Sequence, residues 1–167
     1  MLATLKKFHD ILKSDIGSAD DWSSLLIDYE LPYVDRLWKQ VGHHRVCLHK
    51  IHPFDEGEPY FHSHKWPFAV KILKGSYLMG YGVAEGLGKA LPPPVQKVIK
   101  LVKGDTYELL SELEWHYIKP VGKPSYSLAV TGPPFNLDEP KTHPQLRTIP
   151  HVEKNLLLGE FKSLLAG

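Results

Sequence analysis

His62-Ser63-His64 places two imidazoles two residues apart. On a strand, side chains alternate with period two, so both rings fall on one face and can converge on a single metal ion. An apolar run follows, Phe68-Ala69-Val70-Lys71-Ile72-Leu73, and ends in a turn at Gly75; His116 supplies a third imidazole much further along. Three neutral imidazoles leave coordination positions open, as a catalytic metal requires. Such a set suits Fe(II), Zn, Ni or Cu. It brings no negative charge of its own, so a divalent ion keeps its full +2. That favours an anionic chelating substrate whose carboxylate, enolate or thiolate supplies the missing charge.

The bland alternative is a pocket that uses the same rings only as hydrogen-bonding groups. Ten His in 167 residues is a rich supply, and an HxH pair arises readily in such a chain. His43, His44, His49, His52, His143 and His151 have no spacing that demands a metal. They read as surface or loop residues, although His49 and His52 could line a pocket mouth. Trp66, Phe68, Trp115 and Tyr117 alternate around the three His and read as core or pocket wall. Glu58, Glu112 and Glu114 read as solvated charges.

The elements that must position these residues divide into helical ends and a β-rich middle. Leu5, Phe8, Ile11 and Leu12 lie at helical spacing within residues 3–14. Ser18 and Asp20-Asp21 are cap candidates for a second helix through Trp22, Leu25, Leu26 and Tyr29. Pro32 opens a third, Tyr33 to Val41, ending near Gly42. Strands are expected near 45–52, 60–64, 67–74, 76–83, 95–102, 105–109, 114–119 and 124–131. The lysine-bearing run Val95–Lys103 reads as an edge strand. Gly86 to Pro94 is a loop, and 133–150 an extended, proline-bearing segment. Val152 to Leu165 carries a broad apolar helical face. The expected organisation is one domain: a helical segment over 1–42, a β-barrel over 43–135, and an extended segment and helix over 136–167.

Composition sets outer limits. Lys and Arg number 20 against 19 Asp and Glu, a net charge of +1, which offers no electrostatic case for nucleic acid. No apolar run approaches a membrane span. The N-terminus lacks the apolar core of a signal peptide, so a cytoplasmic protein is expected. Cys47 is the lone cysteine. Flanked by Val46 and Leu48, it reads as a small buried hydrophobe.

The spacing of His62, His64, Gly75 and His116 resembles the paired motifs of the cupin superfamily. Gly57 stands one residue closer to His62 than the family pattern, and Phe68 occupies the place of its Glu. Gly104-Asp105 opens a second motif that His116 closes, with Ser111 and Leu113 in place of the usual Pro and Gly. His62-Ser63-His64-Lys65-Trp66-Pro67-Phe68, Leu73-Lys74-Gly75-Ser76-Tyr77 and Gly122–Pro133 are similar to a group of small bacterial cupins carrying HxHPWDF. The resemblance spans roughly residues 45–135. It implies a mainly β fold, the cupin double-stranded β-helix or jelly-roll barrel, here with N-terminal helices and a C-terminal helix. Cupins often pair as homodimers, which the resemblance extends to this chain.

Lys71–Gly75, and Ser127-Leu128 followed by Pro133-Pro134-Phe135, are also similar to three-His thiol dioxygenases. That likeness implies Fe(II) held by His62, His64 and His116, with Zn, Ni, Mn or Cu as alternatives, and a dioxygenase reaction on a small anionic molecule. It further implies that Arg36, with Tyr33 nearby, meets a substrate carboxylate, since a guanidinium captures carboxylates bidentately. As a helical residue, Arg36 would instead be a solvated charge. Trp66 and Phe68 would shape the pocket. Ala129 and Thr131 replace that family's His and Tyr, and Phe68 or Ala69 its Cys. Two other classes stay open: a metal-dependent isomerase, hydrolase or lyase, and a non-enzymatic small-molecule-binding cupin.

Overall fold

The computed structural model describes residues 1–85, 91–136 and 147–167. Helix α1, Leu2–Ser14, buries Leu5, Phe8 and Leu12, and a single 3-10 turn follows at Ala19–Asp21. Among the described residues ten strands come next: β1 Ser23–Ile27, β2 Val34–Val41, β3 His44–Ile51, β4 His62–Ser63, β5 Phe68–Lys74, β6 Ser76–Val83, β7 Lys97–Val102, β8 Thr106–Leu109, β9 Glu114–Pro120 and β10 Ser125–Thr131. Helix α2, His151–Ala166, closes the chain.

The strands form two antiparallel sheets, β1-β2-β3-β10-β5-β8 and β4-β9-β6-β7. The larger sheet is covered on both faces. Its outer face carries Leu37, Val46, Leu48, Leu73, Leu128 and Val130, which pack with Phe8 and Leu12 of α1 and Leu158 and Phe161 of α2. Its inner face carries Cys47, Ile51, Phe68, Val70, Ile72 and Ala129, which meet Tyr77, Met79 and Leu101 of the smaller sheet. Two covered faces explain why β3, β5 and β10 read as near-continuous apolar runs. The result is the mainly β jelly roll expected, with the N-terminal and C-terminal helices stacked on one side.

All eight expected strands are present. The lysine-bearing β7 is an edge strand of the smaller sheet, as its exposed charges implied. The second and third expected helices are not there: 23–27 and 34–41 are strands β1 and β2. Val34, Leu37, Trp38 and Val41 do sit at helical spacing. A strand that is half-buried on both faces accommodates the same residues, with Leu37 outward and Val34 and Arg36 inward, and β2 pairs with β3 along its whole length. Residues 86–90 and 137–146, including His143, lie outside the described residues, as do the corresponding parts of the expected loop and extended segment. Of that segment, Arg147 forms a bridge to Leu26.

Gly75 holds the turn between β5 and β6 at φ +80°, a conformation that L side chains rarely adopt. A Cβ there would stand 3.0 Å from the Pro124 carbonyl oxygen and from Ser125 Cα. The motif glycine is therefore required both by its backbone angle and by close packing. No helix among the described residues is long and apolar enough to cross a membrane.

Candidate metal centre

Pairing of β4 with β9 sets His62 directly opposite His116. His116 and Ile118 point into the cavity, whereas Trp115 and Tyr117 point the other way, against Phe61 at ring separations of 5.7 and 6.1 Å. His64 follows the end of β4, and its ring packs on Phe68 at 4.1 Å. The strand period and one register thus bring three imidazoles together. One ring nitrogen from each of His62, His64 and His116 lies within 4.8 Å of the others.

His62 donates its Nδ1–H to the Tyr60 carbonyl at 3.0 Å, which orients the ring and frees Nε2. The Nε2 atoms of His64 and His116 face each other at 2.9 Å. Two nitrogens bound at right angles to one ion at about 2.1 Å would stand about 3 Å apart, so this separation is one a shared metal accepts. Without an ion, one proton must serve both nitrogens, and His116 Nδ1 is buried with no partner. Burial pushes His64 and His116 well below the ordinary imidazole range, and neighbouring rings add to the effect; burial also lowers His62. All three are neutral at pH 7, the form that ligates a metal. The donor set fits a divalent ion.

The cluster opens into a cavity of about 150 Å³ between the sheets. Its walls are largely apolar, including Val34, Ile51, Phe68, Val70 and Ile118. Arg36 enters it from β2, and its Nε–H donates to His49 Nε2 on β3 at 2.9 Å. Among the described residues no carboxylate lies within ion-pair distance of Arg36. Glu30 lines the same cavity, and burial raises its carboxyl while the Arg36 charge opposes the rise. Tyr77 donates to Tyr107 at 3.2 Å on another wall, and Tyr107 lies 6.1 Å from the His116 ring. Arg45 also lines the cavity; its guanidinium stacks over Trp38 at 4.7 Å and is 6.0 Å from the Trp66 ring.

Of the residues singled out in the sequence, His62, His64, His116, Arg36, Trp66 and Phe68 share this cavity. Arg36 is not a solvated helical charge, because β2 is a strand whose inner face it occupies. Tyr33 is half exposed and does not line the cavity. Trp115 faces away from it. His49 is a cavity residue rather than a surface one, and its position on β3, two residues from Cys47, was the available signal. His52 pairs outside with Asp35 at 2.8 Å. Glu114 is not the solvated charge expected: it accepts from the Leu110 and Ser111 backbone and from Tyr81, fixing the β8–β9 turn. Cys47 is buried in the wall, where burial raises its thiol.

Neither a protein-family model nor a curated protein matches the sequence. Among solved structures, hydroxypropylphosphonic acid epoxidase from S. wedmorenis is similar at 15% identity and a TM-score of 0.52, over 69% of this chain and 57% of that one. The Fe(II) form of that epoxidase with the alternative substrate (S)-1-HPP is similar at 14% identity and a TM-score of 0.53, covering 69% and 58%. The chain thus matches under three-fifths of the epoxidase's length. KdgF from Halomonas sp. is similar at 14% identity and a TM-score of 0.46, over 65% of this chain and 84% of its own. With its two antiparallel sheets, the chain has a cupin-type jelly-roll fold, and the three-His cluster lies on its inner face.

Proposed function

We propose that this protein is a metal-dependent oxidoreductase of the dioxygenase type, acting on a small anionic substrate. The observation that carries the reading is the sharing of one small, largely apolar cavity by three neutral imidazoles and a guanidinium that makes no ion pair among the described residues. His62, His64 and His116 would hold the ion. Iron(II) is our choice, supported by the three-His donor set and by a neighbour of the same fold whose described form contains Fe(II). When bound, that ion supplies Lewis acidity and a redox-active centre for dioxygen.

The chain's own residues supply the rest. Arg36 binds the substrate anion, because a guanidinium with no ion-pair partner among the described residues, facing a largely apolar cavity, favours a negative partner. Tyr60 holds the His62 ring through its carbonyl. Phe68, Val70 and Ile118 keep water from the reacting atoms. A cavity of about 150 Å³ is the size that holds a benzene-sized ligand, so the substrate has roughly six to eight heavy atoms.

The test is oxygen uptake by iron-loaded protein offered a panel of three- to five-carbon carboxylates bearing a thiol, hydroxyl or keto group. Uptake with at least one member, abolished in His64→Ala, is expected. Loaded protein that consumes no oxygen across the panel would overturn the dioxygenase reading. Turnover without oxygen uptake would replace it with Lewis-acid chemistry.

A further inference from the structure

The contact between Arg36 and His49 goes beyond a wall contact. The β2–β3 register sets the two residues directly opposite each other, both on the inner face. An arginine Nε always carries its proton and always donates. The partner atom, His49 Nε2, must therefore be the acceptor, which places the proton of this imidazole on Nδ1. Burial and the adjacent Arg36 charge both hold His49 well below the ordinary imidazole range, in keeping with a neutral ring.

Buried arginines are most often held by Asp or Glu, which orient the guanidinium but also neutralise it. Here a neutral ring does the orienting. Glu30, the carboxylate that shares the cavity, makes no ion pair with Arg36. No ion pair among the described residues engages the guanidinium, and with Nε bonded to His49 its Nη1 and Nη2 groups remain as the donors for an incoming anion.

We infer that His49 is a positioning residue for an anion receptor: it fixes Arg36 without neutralising it, so that the Nη1 and Nη2 edge is presented to a planar carboxylate. This rests on the reading of Arg36 as the substrate-anion site. It adds that the site discriminates by charge and by which edge of the guanidinium is free.

The experiment is titration of the protein, as purified, with acetate, propionate and butyrate, and with propionamide as the uncharged control, followed by NMR. Parent protein is expected to bind at least one carboxylate in preference to propionamide. Arg36→Ala should lose that preference. His49→Leu, which removes the acceptor, should weaken carboxylate binding about tenfold or more. His49→Gln, which keeps an acceptor, should stay within about threefold of the parent. His49→Asp orients but neutralises, and should weaken binding about tenfold or more.

Equal binding by parent and His49→Leu, with loss in Arg36→Ala, overturns the role of His49 and leaves the anion site standing. Unchanged binding in Arg36→Ala, or a parent that binds none of the three carboxylates, overturns the anion site and the inference with it. Should His49→Leu fail to fold by circular dichroism, the Gln and Asp variants decide. Equal carboxylate binding by those two sinks the inference.

Discussion

At the scale of the residue, charge is what distinguishes this cavity. Three imidazoles and a fourth at His49 are all kept neutral by burial, and beside them Arg36 makes no ion pair among the described residues, although Glu30 and Arg45 line the same cavity. Arg36→Lys keeps the charge and loses the planar fork. For a substrate found in the oxygen-uptake screen, KM should rise about 10- to 100-fold while kcat changes much less, as steady-state kinetics would read. An unchanged KM would mean that the fork makes no contact with substrate. The three His were legible because HxH spacing, the turn glycine and a distant His are sequence features. Arg36 and His49 were not legible as a pair. Thirteen residues separate them, and only the β2–β3 register brings them together.

At the scale of the element, β2 decides whether Arg36 reaches the cavity. Leu37 is fully buried against the helices while its neighbour Arg36 points inward. Leu37→Ala should cost about 2–5 kcal/mol in chemical denaturation, against a few tenths for the same change at half-exposed Val41. Equal effects would refute the burial of Leu37 beneath the helices. Gly75→Ala should cost about 1–3 kcal/mol, because φ +80° and the Pro124 contact both oppose a side chain. Strands β3 to β10 were legible because Gly and Pro punctuate them and their apolar runs are short. β1 and β2 differ from the expected helices because strands half-buried on both faces carry apolar residues without a period-two pattern. Leu25, Leu26 and Tyr29, and Val34, Leu37, Trp38 and Val41, then match a helix equally well.

At the scale of the whole molecule, the larger sheet separates two cores, one under the helices and one around the cavity. The buried histidines tie stability to pH. Each binds a proton near pH 6.5 when unfolded but resists it when folded, so the unfolded state takes up more protons. Stability is therefore full above about pH 6.5 and is lost as pH falls below it toward the lowered folded values. The lowered carboxyls Asp10, Asp21 and Glu160 act only further down, below about pH 4.5. Thermal unfolding of metal-free protein should be level from pH 8 to 7 and fall steadily to pH 5. A flat profile would contradict burial of the imidazoles. The jelly roll was legible from strand count and turn chemistry, whereas the cavity's size and contents came only from the packing of two sheets. The most direct test of the metal centre is metal content by inductively coupled plasma mass spectrometry, on untagged protein purified without chelator, for the parent and His116→Ala side by side. The parent should carry about one equivalent of iron, and His116→Ala at least tenfold less. Equal metal in the two proteins would contradict the three-His centre.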